Sequence, residues 1–469
     1  MTRAGAAAAA AGLAGCTGGD GGDGGDGGDG GDGGGGGLDS GSRPVQWMGP
    51  AWAVAPGQVT MFEDNTGVDM SITRNDIPTT QQRMLSGARE TFDAFSIDTA
   101  GSGALTQDND AFEPVPTSAI EGWNEDAISE LFTNPGERLS QLGAQTETLT
   151  DQLWMSDSKE ELRFAPHVYN FDAIGFNPSF VDSMQSEWSA LFDDQFEGRV
   201  ALGATSAITI PEGFMHLLDN DMIDGEIGQL NNPTQDQLDT VVDFLVEQKR
   251  SGQFRSTWLT FGNSVNLMAS EEAVLGDIWQ PAALATRREG TPCTYATMSE
   301  GVQGYRFWYG GIMPTAPGAS DRDNLDEIHE LINLHYGSWF PAFIQRNGYS
   351  VPHYPNTALL RDGEGAYGAP NDDSDVPFAG IDYMGPEYYD WSYEGTATYT
   401  PISETDFESQ ALFDPQAYDW SLEEGSPASD GGVRDSGPIE ERINRIGFFQ
   451  IWPDNADYML DRWQDFTSA

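Results

Sequence analysis

Cysteine is almost missing from this chain of 469 residues: only Cys16 and Cys293 occur. With Cys16 set apart in the N-terminal segment, no intramolecular disulfide framework is available, and Cys293, between Pro292 and Thr294, reads as a small buried residue. Lysine is equally scarce, at Lys159 and Lys249 alone. Basic residues number 22 against 75 acidic ones, a net charge of -53. Such a surface repels phosphate backbones, so nucleic acid is excluded as a partner. The acids are not gathered into one patch but spread along the chain, as in Glu121-Gly-Trp-Asn-Glu125-Asp126. Depleted lysine with dispersed Asp and Glu reads as adaptation to very high salt, where the Debye length falls to about 3 Å and self-repulsion is screened. An acidic face that attracts a cationic solute is the alternative reading. No stretch offers 18 uncharged apolar residues, so no spanning helix is expected.

What is present begins at the N-terminus. Leu13-Ala14-Gly15-Cys16 places small residues just before a cysteine, the arrangement a lipoprotein cleavage site needs if the processed cysteine is to carry lipid. Residues 17–37 are almost wholly Gly, with Asp at 20, 23, 26, 29 and 32. Such a segment is too solvated to fold and spans roughly 25 Å as a coil. We therefore expect residues 1–16 to be a lipoprotein signal ending at Cys16 and residues 17–42 to be a tether. The body would then sit on the extracellular face of the cytoplasmic membrane, lipid-anchored. The competing reading is a disordered tail with an accidental cysteine.

The remaining chain is longer than one core usually serves, and two lobes are expected. Its pattern alternates strand and helix, the signature of α/β architecture. Val45 to Val54 reads as a strand and turn, followed by a helix from Gln58 that Gly67 closes, then a strand at Val68 to Met70. A helix is expected at Ile77 to Arg89 and a strand at Phe92 to Ile97. Further helices are expected at Ala127 to Phe132 and Glu137 to Leu149. Phe164 to Asn177 and Gly198 to Leu202 read as buried strands. Gln235 to Arg250 predicts an amphipathic helix with Leu238, Val241, Val242, Leu245 and Val246 on one stripe. Val265 to Met268 and Val274 to Trp279 continue the strand and loop pattern. Asp323 to Tyr336 and Trp339 to Asn347 predict helices, as do Ile439 to Ile451 and Ala456 to Phe466. Residues 353–440, rich in Gly, Pro, acids and Tyr, read as an acidic insertion.

The order of four stretches resembles the extracellular solute-binding proteins of ABC importers (family 1), in particular the spermidine/putrescine-binding branch. They are Phe62-Glu-Asp-Asn-Thr-Gly-Val68; Ala165-Pro166 leading to Ala173-Ile174-Gly175-Phe176-Asn177; and Trp188-Ser-Ala-Leu-Phe192 leading to Gly198-Arg-Val-Ala-Leu202. The fourth runs from Gly276-Asp-Ile-Trp279 through Ser299-Glu300-Gly301 to Pro314, Ile328 to Leu334 and Gly348-Tyr349. The resemblance implies a two-lobed, periplasmic-binding-protein-like (type II) α/β fold with a ligand cleft between the lobes and hinge closure around the solute. It assigns residues 43–165 plus about 296–352 to lobe one and 166–295 plus about 441–469 to lobe two. A small organic solute would be handed to ABC permease subunits and, through them, to a separate ATPase, since this chain has no phosphate-binding Gly-x-x-x-x-Gly-Lys-Ser/Thr loop. A monomer without cofactor is expected.

The same resemblance places Trp279 and Tyr169 in the cleft and sets Phe307-Trp308-Tyr309 where the family has an aromatic followed by an amine-gripping aspartate, absent here. The carboxylates expected after the lobe-two strand are missing too, because Gly203-Ala204-Thr205-Ser206-Ala207 stands there. A diamine buried without carboxylates would cost several kcal/mol per charge, so an organic solute other than a simple linear polyamine is expected. Thr205 and Ser206 at a helix start would suit a carboxylate, phosphate or hydroxyl, and Arg306 could give an anion a bidentate hold; a plain N-cap and a surface arginine are the competing reading. Trp47 and Trp52 read either as cleft or as core. The five histidines lack metal-ligand spacing and no Gly-x-Ser-x-Gly elbow occurs, so no catalytic or metal-binding residue is nominated. The functional alternative is a surface carbohydrate-binding protein or carbohydrate-active enzyme.

Overall fold

Val45–Gly49 (β1) is flanked in parallel by Met70–Arg74 (β2) and Ala94–Asp98 (β3), as the alternating pattern predicts. The computed structural model describes most of residues 43–352 and residues 444–469. Residues 1–42, 51–52, 55, 103–110, 124–127, 134–141, 143–145, 321–322, 338–348, 353–443 and a few single positions lie outside the description. The expectations for Cys16, the tether, Trp52, the helix at Trp339 to Asn347 and the acidic insertion fall on those residues.

The first sheet is completed by Ala165–Asp172 (β6), Tyr305–Pro314 (β12) and Ile446–Phe449 (β13), in the order β13-β12-β3-β1-β2 with β6 alongside β12. Val115–Pro116 (β4) and Glu161–Leu162 (β5) form a separate antiparallel pair. The second sheet holds Gly175–Phe176 (β7), Val200–Gly203 (β8), Phe254–Trp258 (β9), Leu275–Gly276 (β10) and Thr294–Tyr295 (β11), in the order β11-β7-β10-β8-β9. β8 is parallel to both β9 and β10, whereas β7 runs antiparallel to β10 and β11. Among the described residues the chain passes between the sheets three times: from β6 into β7, from β11 into β12, and after β13.

Helices cover both sheets. Pro56–Thr66 (α1), Ile77–Leu85 (α2) and Leu325–Gly337 (α10) pack on the first sheet, with Thr99–Ser102 (α3) beside its β3 end; Glu130–Thr133 (α4) and Thr146–Leu153 (α5) lie in the connection between β4 and β5. Gly67, at φ +70°, closes α1 as predicted. Ser206–Asp219 (α6), Gln235–Ser251 (α7), Phe261–Ala269 (α8) and Gln280–Arg288 (α9) surround the second sheet, and Ala456–Ser468 (α11) lies on α7 and α6. α7 is the clearest case of local coding. Thr234 and Gln237 form a reciprocal capping box, Gly252 ends the helix at φ +92°, and Leu238, Val241, Val242 and Leu245 are fully buried.

Two expectations are corrected. Val265 to Met268 lies inside a helix, α8: Thr260 caps it, and Phe261, Ser264, Val265 and Met268 bury a face at helical spacing. Ile446–Phe449 is a strand and not part of a helix, because β12 offers its edge and the backbone of Ile446-Gly-Phe-Phe pairs with it. β13 thus joins the first sheet while α11 packs against the second, so residues 441–469 divide between the two halves rather than falling wholly in the second. β6, too, belongs to the first sheet.

Candidate functional site at the sheet junction

β6 and β12 run antiparallel, with Arg306 opposite Asp172, Phe307 opposite Phe171, Trp308 opposite Asn170 and Tyr309 opposite Tyr169. Side chains alternate along each strand, so these pairs sort onto two faces. One face is aromatic. Tyr309 stacks on Phe164 at 5.2 Å, Phe132 meets Tyr169 edge-on at 5.4 Å, and Phe307 meets Phe449 at 5.7 Å. Tyr169, Phe307 and Tyr309, expected in the cleft, are buried within this core cluster. The period of two forces the outcome: three consecutive residues of a strand cannot all face one crevice.

The opposite face carries Arg306, Trp308 and Asp172, and it meets groups from the second half. Arg306 Nη1 donates to Glu212 Oε1 on α6 at 2.6 Å, and Nη2 donates to Asp172 Oδ2 at 3.2 Å and to the Asp277 carbonyl at 3.4 Å. Trp308 Nε1 donates to Asp172 Oδ2 at 2.6 Å. The Asp277 carboxylate, just past β10, accepts the Gly203 backbone N–H at 2.7 and 2.9 Å and Trp258 Nε1 at 3.1 Å. Gly203 ends β8 beside this carboxylate, and a Cβ there would stand 2.8 Å from Asp277 Oδ2. Tyr295 on β11 donates to the Ile278 carbonyl at 2.9 Å and accepts the Ala173 N–H at 2.9 Å. The guanidinium is thus held from three places outside its own strand: Asp172 on β6, Glu212 on α6 and the Asp277 carbonyl just past β10.

Arg306, Asp172, Glu212 and Asp277 are all fully buried. Burial pushes the Glu212 carboxyl well above its ordinary range, and the neighbouring Asp277 pushes it further; Arg306 opposes both. Burial also raises Asp172 and Asp277, with Arg306 again pulling the other way. For Arg306 itself burial works against the charge, but Asp172, Glu212 and Asp277 together hold the guanidinium above its usual value. The two side-chain oxygens that take the arms of the Arg306 fork come from Glu212 and Asp172, one from each half. The expectation that Arg306 holds a bound anion is corrected on this geometry: its fork is taken up by carboxylates from both halves.

The remaining nominated residues distribute as follows. Trp47 lies in the first core, donating from Nε1 to Ser96 Oγ at 2.9 Å and meeting His335 edge-on at 5.6 Å. Thr205 caps α6 by position but not by side chain, and is half-buried beside Ser206. Trp279 is half-buried and packs on Trp258 at 4.7 Å. Thr205 and Trp279 therefore follow the adjacent strands β8 and β10 and remain partly open to solvent. Trp308 meets Tyr349 edge-on at 5.9 Å. The junction joins Trp308, Arg306 and, through Trp258, Trp279. The acids Asp172, Glu212 and Asp277 were not among the residues nominated. Their signal in the sequence is a lone acid within an apolar run, which marks a buried charge that needs a partner.

No family model matches this chain, and no curated protein matches it. Solved structures do. A protein from Listeria monocytogenes described as belonging to spermidine/putrescine ABC transport aligns with a TM-score of 0.52 at 14% identity, covering 91% of this chain and 98% of its own. MotA of A. tumefaciens B6, solved in complex with glucopine, aligns at 0.51 and 11% identity, covering 90% and 99%. The TpPotD lipoprotein of Treponema pallidum aligns at 0.50 and 11%, covering 90% and 99%. The chain has the two-lobed α/β fold of type II periplasmic binding proteins, and at the level of fold the resemblance to the spermidine/putrescine-binding branch is borne out.

Proposed function

We propose that this chain is an extracytoplasmic solute-binding protein, anchored through lipid on Cys16, that captures a small organic solute between its two lobes and delivers it to the permease of an ABC importer. The observation that carries the reading is the junction itself: two sheets joined by three crossings, with Arg306 of one bound to Glu212 of the other. Closure of one half on the other is the motion such a protein needs. Thr205 and Trp279, just past the ends of β8 and β10, and Trp308 within β12 are the residues nominated to meet the solute. The junction carboxylates answer Arg306 already, which favours an organic solute other than a simple linear polyamine.

The test is calorimetry and thermal shift on the purified body in molar potassium chloride, against putrescine, spermidine, opine-type amino acid conjugates, carboxylic acids and sugars. One class is expected to raise the melting temperature, to bind with a defined stoichiometry and to be recovered unchanged by mass spectrometry. Trp279→Ala is expected to weaken that binding about tenfold or more. Chemical conversion of the bound solute, or a Trp279→Ala protein that binds like the parent, overturns the reading.

A further inference from the structure

Arg306 faces more carboxylates than one guanidinium can neutralise. Asp172 of the first half and Glu212 and Asp277 of the second surround it, and all four side chains are fully buried. The fifth ionisable group of the cluster is Tyr295 on β11, which burial keeps neutral. The end of β8, the end of β9 and the start of α9 bring only neutral donors, the Gly203 N–H, the Trp258 indole and the Gln280 N–H. Ionised throughout, the cluster would hold three negative charges against one positive, out of contact with solvent. A proton held between two of the carboxylates lowers that cost. The geometry has a place for it: Glu212 Oε1 takes one arm of the Arg306 fork, whereas Glu212 Oε2 is buried and accepts no hydrogen bond among the described residues. Asp277 is the neighbouring acid that most raises the Glu212 carboxyl, so such a proton belongs to the pair and not to either residue alone.

We propose that closing the two halves takes up a proton from solution into this cluster, so that solute capture strengthens as pH falls; the inference rests on the reading that solute is held between the lobes. The charges are divided between the halves, with Arg306 and Asp172 on the first sheet and Glu212 and Asp277 on elements of the second. Opening parts Glu212 and Asp277 from Arg306 and admits water to all four. A solvated carboxylate titrates near about 4 and is ionised at neutral pH. On closing, the acids lose that water, and one proton passes from solution to a carboxylate oxygen of the Glu212–Asp277 pair. No bond of the solute is made or broken. The closed form thus binds more protons than the open one, and its share grows as pH falls, by at most about tenfold in the closed-to-open ratio per pH unit. The coupling is complete below the ordinary glutamate value of 4.5 and is lost as pH rises through the raised value of the closed form.

The experiment places nitroxide labels at Ser86→Cys, after α2, and Ser251→Cys, at the end of α7, exposed positions in different halves. The full-length chain carries Cys16→Ser, and Cys293 is buried out of reach of the label. Double electron–electron resonance in molar potassium chloride reads the label separation from about pH 5 to 9. Without solute, the population at short separation is expected to grow as pH falls. Glu212→Gln, whose amide offers the oxygen and the N–H of a protonated acid, is expected to keep that population at every pH. With a solute that binds, calorimetry in buffers of different ionisation enthalpy is expected to show uptake of up to about one proton in the parent and none in Glu212→Gln. Separations that ignore pH in the parent, or that follow pH equally in Glu212→Gln, overturn the proposal; the parent profile decides even where that variant does not fold. A solute that binds without proton uptake at any pH in this range overturns it as well and leaves the proposed function standing. A chain that binds no solute fails the proposed function instead, and the label separations still decide the proton uptake.

Discussion

His335 Nε2 stands 2.7 Å from Gln58 Nε2, and His335 Nδ1 stands 2.7 Å from the Leu331 carbonyl. Gln58 Nε2 also donates to the Ala53 carbonyl at 3.1 Å, so it is the amide nitrogen and His335 Nε2 must accept from it. The proton therefore sits on Nδ1, and a second one on Nε2 would face a donor. Burial lowers the His335 pKa to about 4, and burial with His335 alongside drives His167, 4.7 Å away ring to ring, well below its ordinary value. An unfolded imidazole titrates near 6.5. The contribution of the neutral His335 ring is thus whole above that pH and drains away as pH falls toward about 4. Glu212 has the opposite sign: its raised folded value gives a contribution that is full below 4.5 and is lost as pH climbs through the raised value. Stability is expected to pass through a maximum in pH, read as urea midpoints in molar potassium chloride. His335→Gln should flatten the acid limb and Glu212→Gln the alkaline limb; unchanged slopes in both would refute these assignments. Arg306→Met, by contrast, strands the buried acids and is expected to lose about 3–5 kcal/mol at neutral pH.

At the scale of elements, the ends of β8 and β10 set the second half of the junction, and their spacing leaves no room for a side chain at Gly203. Gly203→Ala puts a methyl 2.8 Å from Asp277 Oδ2 and 3.4 Å from the Trp258 ring. Asp277 and Trp258 must shift together, at an expected cost of about 1–3 kcal/mol in urea unfolding. Solute affinity should fall with it, since Trp279 rests on Trp258. A parental midpoint and affinity in that variant would show that the contact yields freely. Elements with their own punctuation were legible beforehand: α7 carries a cap, a stripe and a terminal glycine within its own residues. Ile446–Phe449 was not, because four apolar residues carry no period that separates strand from helix, and only the edge of β12 decides. The site was legible in part for the same reason. Trp279 and Trp308 were found through the resemblance, which places aromatics at those positions, but the pairings that organise them are non-local: Arg306 reaches Asp172 and Glu212, 134 and 94 residues away. Assigning Phe307, Trp308 and Tyr309 together to a cleft ignored the alternation that turns the first and third away from the second.

For the molecule as a whole, a net charge of -53 has to be reconciled with a folded state, and the few cations are used several times over. Arg462 lies 2.6 Å from Asp239 and from Asp243, and also pairs with Asp465. Lys249 Nζ donates to the Phe466 carbonyl at 2.8 Å and sits 4.8 Å above the Phe466 ring, pinning α11 to α7. Salt acts on these two kinds of interaction with opposite sign. Screening weakens each exposed pair, worth about 0–1 kcal/mol, but it also weakens repulsion among the many acids that have no cation to share. With 75 acids and 22 basic residues the repulsive sum must dominate. The melting temperature is therefore expected to rise steadily as potassium chloride goes from dilute to molar. Arg462→Ala is expected to lower it more in dilute buffer than in molar salt. Trimethylamine N-oxide strengthens burial without screening charge, so it should reproduce little of the salt effect at low ionic strength. A chain that melts at the same temperature in dilute and molar chloride, or that trimethylamine N-oxide rescues as well as salt does, would mean that the acid excess is no adaptation to brine and that its role lies with a cationic partner instead.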